Sequence, residues 1–186
     1  SAESGAHGIK FQYRNLKNSY ASNKGEEIGD EIIKSEITRN YLAPSTISSL
    51  VKEAKNLGLK VGISFFSVKD IDDFTSLDSF DFFKIPSVEF QNKALRNTLL
   101  NTGKDVLLST GCQNENEIRE VINDLLSKKN WTLLHCISNY PLAIRNSKLG
   151  YLNHLSKICG RRVGYSSHDE YWENCLIAAT LGASII

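Results

Sequence analysis

The sequence predicts an α/β chain built as a (β/α)8 TIM barrel, incomplete at both ends, and three observations carry that prediction. Apolar, β-rich runs alternate with segments of helical period. Most strand starts lie roughly 20–30 residues apart, the repeat of a β-α unit. Polar residues close nearly every strand at its C-terminal end, as they do in a barrel whose strand ends converge on one site. A doubly wound open sheet is the competing architecture. It would commit only the strands near its switch point, and no GxGxxG follows the first strand.

The strands read in order as GIKFQY (8–13), KVGISFF (60–66), FDFFKI (80–85), DVLLST (105–110), WTLLHC (131–136), RRVGYS (161–166) and ASII (183–186). Near-continuous apolar content in each implies a parallel sheet covered by helices. The clearest helical segments are 45–58, 114–129 and 170–182, with Ser45 as N-cap after Pro44 and with Gly58 and Gly182 as C-terminal glycines. Residues 14–44 break the rhythm. They predict an extended loop with a short helix near Glu26–Ser35, covering the strand ends. Seven strands, the last cut short, imply a fragment of a longer protein. Residues 1–186 are then a partial catalytic barrel; the family resemblance given below implies that its first strand would precede Ser1.

The 186 residues suffice for one sizeable core, and 41% hydrophobic with 23% charged residues is ordinary for a globular protein. A net charge of +1 argues against electrostatic capture of nucleic acid or membrane. No apolar run approaches the roughly 20 residues of a membrane span, and no signal-peptide pattern opens the sequence. Cys112, Cys136, Cys159 and Cys175 are scattered without metal-like spacing, which fits a reduced, cytoplasmic protein better than a disulfide scaffold.

Under the barrel reading, the strand ends collect Lys10 and Gln12, then Ser64, then Lys84, Ser87 and Glu89. Ser109, Thr110 and Gly111 follow, then Ser138 with Tyr140, and Ser166 with His168. Two lysines among hydroxyls and turn N–H groups suit a phosphate or carboxylate. A lysine in mid-strand is costly if buried and unpaired, which marks Lys10 and Lys84 as functional. Glu89 and Tyr140 suit proton exchange or sugar hydroxyls, and His168 suits metal ligation or acid–base work. Plainer roles stand beside these. Ser109 and Thr110 equally serve as helix caps, His168-Asp169 as a turn pair and Tyr140 as a brace before Pro141. His135 reads as a packed strand residue, and His7 and His154 as structural or exposed.

The ordered series KFQ (10–12), KIPSVE (84–89), LLSTG (107–111), LLHCISNYP (133–141), VGYSSH (163–168) and LGASII (181–186) resembles the sialic acid synthase (N-acetylneuraminate synthase) family. That family's pattern reads KFQ, KIGSGE, STGM, HCTSxYP, GYSDH and ALGASVIEKH. The resemblance implies condensation of phosphoenolpyruvate with an N-acyl amino sugar, such as N-acetylmannosamine, to a nine-carbon 2-keto acid. It implies that Lys10, Ser64, Lys84, Ser87, Ser109 and Ser166 hold phosphoenolpyruvate, with Ser138 also lining the substrate site. Gln12, Glu89 and Tyr140 would meet the sugar or move protons, Lys10, Glu89 and Tyr140 being the catalytic candidates. His168 would be one of two histidine ligands to Mn²⁺ or Mg²⁺, an ion that polarises the sugar aldehyde. A homodimer with a C-terminal antifreeze-like domain, absent here, is also implied.

The departures are specific. Pro86 and Val88 replace two glycines, Ser64-Phe65 replace Thr-Pro, and Ser167 replaces the aspartate before the histidine while Asp169 follows it. Either the carboxylate partner of His168 shifts by one position to Asp169, or metal binding is weakened. Two other readings compete: an aldolase forming a Schiff base at Lys10 or Lys84, and a degenerate sugar-binding barrel without catalysis.

Overall fold

The computed structural model describes residues 2–19 and 30–186. They divide into two compact units, residues 1–83 and 84–186.

In the first unit, β1 (Gly8–Gln12) is followed by two helices, α1 (Leu16–Ser19) and α2 (Asp30–Arg39). Next come α3 (Pro44–Asn56), β2 (Lys60–Ser64), α4 (Val68–Asp72) and the first half of β3 (Phe82–Ile85). β1 and β2 pair in parallel, with Lys10 opposite Gly62 and Gln12 opposite Ser64. Gly62 is needed for space: a Cβ there would lie 2.2 Å from the Phe82 ring. α3 buries Ile47, Val51 and Ala54, an i, i+4, i+7 stripe. The same unit buries Val61, Ile63, Phe65, Phe80 and Phe83. Each such side chain contributes roughly 1.5–3 kcal/mol of burial. The N-cap of α3 is Ala43, not the expected Ser45, because Pro44 occupies the first helical position, where its missing N–H costs nothing. Gly58 takes φ +76°, as a C-terminal glycine should.

The helix expected near Glu26–Ser35 falls partly on residues 26–29, which lie outside the described residues. From residue 30 onward α2 continues to Arg39. Its C-terminal end and residues 40–42 line a cleft with Gln12, Tyr13 and Arg14, so this part of the segment does cover the end of β1.

The second unit holds the rest of β3, a 3-10 turn at Ser87–Glu89, α5 (Lys93–Leu100) and β4 (Asp105–Ser109). These are followed by α6 (Glu115–Leu125), β5 (Trp131–Cys136), α7 (Tyr151–Cys159), β6 (Gly164–Ser166) and α8 (Glu173–Thr180). The strands lie in chain order, β3 to β6, and β4-β5 and β5-β6 are both parallel. α6 turns Ile118, Val121, Ile122 and Leu125 inward, and α7 turns in Leu152 and Leu155. A reciprocal capping box between Asn114 and Glu117 opens α6.

Six strands are present among the described residues, where seven were expected. Residues 183–186 form no assigned strand, yet they run hydrogen-bonded beside β6. Ser184 N–H donates to Val163 O and Tyr165 N–H donates to Ile185 O, both at 2.8 Å. β6 starts at Gly164 rather than Arg161 because the Arg161 backbone closes the end of α7. Its N–H donates to Ser156 O at 3.3 Å and its carbonyl accepts from Ser156 Oγ at 2.6 Å. The Arg161 side chain reaches across to β5. It donates to the Lys129 and Trp131 carbonyls at 3.1 Å and stacks on the Trp131 ring at 4.5 Å.

Candidate active site

Within residues 84–186 the polar strand ends form a connected cluster. Lys84, on β3, donates from Nζ to Ser166 Oγ on β6 at 2.9 Å. Burial pulls the Lys84 pKa down, and the nearby Cys136 thiol opposes that only in part. Lys84 thus supplies a partly desolvated ammonium, which strengthens its attraction for an anion.

The turn after β3 supplies Ser87. Pro86 sets up the turn, and Glu89 N–H donates to Pro86 O at 3.0 Å, so the residues that replace the two glycines form a hydrogen-bonded 3-10 turn. Ser87 Oγ accepts from Gly111 N–H at 3.1 Å and lies 3.4 Å from Cys136 Sγ. Gly111 has no room for a side chain: a Cβ would meet Ser138 Oγ at 2.3 Å, Ser87 Oγ at 2.7 Å and Cys136 Sγ at 3.2 Å. Two hydroxyls and a thiol therefore converge on one glycine.

Ser109 closes β4 with its hydroxyl buried and without a hydrogen-bond partner among the described residues. It does not cap a helix, since Asn114 caps α6. Thr110 does not cap either; its Oγ1 donates to Leu134 O at 3.1 Å. A buried orphan hydroxyl is costly, and such groups are retained where a ligand completes them.

His168 is placed by backbone. Nδ1 lies 2.9 Å from Ile137 O, so an Nδ1–H donates there and leaves Nε2 as acceptor, 2.8 Å from the Tyr140 hydroxyl. The two rings lie 4.0 Å apart, with Tyr140 largely exposed. Burial pulls the His168 pKa down, but contacts with Cys136 and Ile137 O outweigh it and leave the pKa raised.

The first of the two expectations for Asp169 fails, since Asp169 is not the hydrogen-bond partner of His168. Its carboxylate is taken by Tyr165 (2.7 Å), Ser167 and Asn174 (2.7 Å), and the Ile137 carbonyl orients the imidazole instead. Among the described residues no group of three His, Cys, Asp or Glu is placed to hold a metal ion. His168 offers one nitrogen donor, not a ligand set.

Cys136 was missed by sequence reasoning, which treated the four cysteines alike. Burial alone would push its thiol up, but His168, Ser87 and Lys84 bring the pKa down to about 7. The available signal was its position in HCISNYP at the end of a strand, one residue after His135. That histidine is a packed strand residue as expected, buried with Nε2 2.8 Å from Ser147 O. Glu89 stands apart from the cluster in its contacts: its Oε2 accepts from Asn92 Nδ2 at 2.8 Å at the start of α5.

Lys10, Gln12 and Ser64 belong to the first unit. Ser64 is buried at the end of β2, and Gln12 is exposed and lines the cleft with Tyr13 and Arg14. Lys10 is exposed, so the expected cost of a buried lysine does not apply to it. Phe65, which stands where the family pattern has proline, has a packing reason: it is fully buried against Tyr13, Phe74 and Phe83.

The profile of the NeuB family matches residues 1–186. The chain belongs to the NeuB family. Among its relatives, the N,N'-diacetyllegionaminic acid synthase of Campylobacter jejuni is 29% identical over 197 residues, covering 100% of this chain and 59% of that protein. The pseudaminic acid synthase of Helicobacter pylori is 31% identical over 75% of this chain and 41% of its own length. The NeuB chain therefore spans about half the length of these curated relatives. The crystal structure of the N-acetylneuraminic acid synthetase of Leptospira borgpetersenii, in complex with citrate, superposes on all of this chain and 62% of its own. That match has a TM-score of 0.87 at 24% identity. A putative spore coat polysaccharide biosynthesis protein E of Chromobacterium violaceum matches 96% of this chain and 54% of its own, with a TM-score of 0.82 at 27% identity.

Proposed function

We propose that the intact protein condenses phosphoenolpyruvate with an N-acyl amino sugar, forming a nine-carbon 2-keto sugar acid and releasing phosphate. The observation that carries this reading is the cluster of Lys84, Ser87, Ser109, Ser138 and Ser166 in a NeuB-family chain. It joins a desolvated cation to several hydroxyls, one of them unsatisfied. Lys84 and the hydroxyls hold the phosphate and carboxylate while negative charge shifts onto the leaving phosphate. Carbon 3 of phosphoenolpyruvate bonds to the sugar aldehyde carbon, water adds at carbon 2, and the carbon 2–oxygen bond to phosphate breaks. The Tyr140 hydroxyl, which lies 2.8 Å from His168 Nε2, would pass a proton to the new sugar hydroxyl. Lys10, Gln12 and Ser64 are assigned to the same substrates, and Glu89 to the sugar. His168 Nε2, once released from the Tyr140 hydroxyl, would be one ligand of a divalent ion, Mn²⁺ or Mg²⁺, with its other ligands from outside this cluster; the ion would supply Lewis-acid polarisation when bound. A closed (β/α)8 barrel, a homodimer and a cytoplasmic location complete the proposal. No helix among the described residues is long and apolar enough to cross a membrane.

The test uses the full-length protein with phosphoenolpyruvate, Mn²⁺ and a panel of N-acyl amino sugars. Phosphate release that requires one sugar supports the reading, and no release from folded protein with any sugar removes it. One observation favours a second reading: burial lowers the Lys84 pKa, as a Schiff-base lysine requires. Borohydride trapping of a substrate adduct on Lys84 would establish that aldolase instead.

A further inference from the structure

At the ends of β4 and β5 lies a cleft of about 410 Å3, and Cys112, Lys148 and Tyr151 in its lining have no role above. Cys112, Gln113, Ile118, Ser138, Lys148 and Tyr151 line it. Its wall also includes Cys136, so it shares two residues with the cluster around Gly111. Cys112 and Lys148 are the two non-glycine residues with positive φ among the described residues, at 62° and 49°. A backbone region that side chains seldom occupy is kept where surrounding structure enforces it, and such positions gather at functional sites. Here both sit on one cleft, one following β4 and the other preceding α7, and both are exposed.

The lining sets the chemistry of the occupant. Ile118 and the Tyr151 ring offer apolar surface, and Lys148, Gln113 and the Ser138 hydroxyl offer hydrogen-bond donors. Gln113 Nε2 is already held by Ser87 O at 3.2 Å and Gly111 O at 3.3 Å, and Ser138 is assigned to phosphoenolpyruvate above, which leaves Lys148 and the Tyr151 hydroxyl as donors for a ligand. No carboxylate lines the cleft to pair with an ammonium, and Lys148 would repel one. A carbonyl oxygen carried beside a small apolar group fits these walls.

We propose that this cleft receives an acylamino substituent of the sugar, with Lys148 donating to the acyl carbonyl and Cys112 and Tyr151 bounding the acyl group. The assignment rests on the synthase reading above and adds the residues that select the acyl group.

Cys112 is itself the reporter. The full-length protein is treated with iodoacetamide, and alkylation of Cys112 is followed by mass spectrometry, with phosphate release measured in parallel. The probes are N-acetylmannosamine, a diacetamido hexose and free mannosamine, each with and without phosphoenolpyruvate. A sugar at about ten times its Kd fills about nine-tenths of the sites, so the acylated substrate should slow Cys112 alkylation about tenfold. Mannosamine and phosphoenolpyruvate alone should leave it unchanged. Lys148→Gly, which relieves the positive φ while removing the cation, should raise KM for the acylated sugar about tenfold, with KM for phosphoenolpyruvate and kcat within about twofold. Cys112→Phe should shift preference toward the smaller acyl group. Unchanged Cys112 alkylation at sugar concentrations that support phosphate release overturns the assignment and leaves the synthase intact. So does an unaltered sugar KM in both variants. Absence of phosphate release with every sugar removes the synthase reading, and the acyl assignment with it.

Discussion

Gly111→Ala is the sharpest test of how the cluster is built. The added Cβ would lie 2.3 Å from Ser138 Oγ and 2.7 Å from Ser87 Oγ, where ordinary contact needs well over 3 Å. Ser138 is half-buried and can rotate away. Ser87 is buried, and its oxygen is fixed between Gly111 N–H at 3.1 Å and Cys136 Sγ at 3.4 Å. Moving Ser87 leaves the Gly111 N–H buried without its acceptor, at about 1–3 kcal/mol, and residual overpacking costs a similar amount. The expected loss is about 2–4 kcal/mol, because the two costs relieve one another in part. Urea denaturation of the full-length protein should show a midpoint lowered by about 1 M or more. Gly150→Ala is the control. A Cβ there meets nothing within 4 Å and the backbone is right-handed helical, so that variant should unfold at or above the wild-type midpoint. Equal midpoints for the two variants would refute the crowded-glycine argument.

Three further outcomes are expected. Ser109→Ala removes a buried hydroxyl without a partner, so it should be neutral or stabilising by up to about 1 kcal/mol while weakening phosphoenolpyruvate binding; equal affinity with lost stability would show that the hydroxyl is structural. Lys84→Met should abolish turnover yet raise the urea midpoint at pH 7. Burial lowers the Lys84 pKa, so the unfolded chain binds that proton more tightly, and the penalty is full below the folded pKa. It fades as pH rises toward the ordinary lysine value of about 10.4, so the gap between Lys84→Met and wild type should narrow there. A clearly destabilised Lys84→Met at pH 7 would show that its bond to Ser166 outweighs desolvation. Asp169→Ala strands the buried Tyr165 hydroxyl and Asn174 amide and should cost about 2–4 kcal/mol at pH 7. Burial tends to raise the Asp169 pKa, but the hydrogen bonds from Ser167, Tyr165 and Asn174 outweigh it and hold the pKa below the usual carboxylate range. Its stabilisation is therefore present above that range and lost as pH falls through the folded value. The gap between variant and wild type should close in acid.

Much of this protein was legible in the order of its residues. Strand and helix identity follows from local period, and an apolar run such as WTLLHC or a stripe such as Ile118, Val121, Ile122 and Leu125 needs no partner to be recognised. The family, too, was written in short motifs at strand ends, such as KFQ, LLSTG and LLHCISNYP, which are read without knowing what they touch. Boundaries were less legible. Arg161 reads as a strand start until its backbone is seen bonded to Ser156 at the end of α7, and Ser45 reads as a cap until Pro44 is seen inside the helix.

What only the tertiary structure decided is which polar groups meet, and in what state. Lys10 and Lys84 look alike in sequence, but Lys84 is desolvated and Lys10 is exposed, a difference set by packing from distant segments. Cys136 gains a pKa of about 7 from Ser87, His168 and Lys84, residues separated from it by up to 52 positions in the chain. Asp169, one residue from His168, serves Tyr165 and Asn174 instead, while Ile137, 31 positions away, orients the imidazole. Local pattern determines secondary structure because it acts over one or two turns of chain. Proton affinity and hydrogen-bond partnership depend on dielectric and distance in space, which exist only once the strands have been brought side by side.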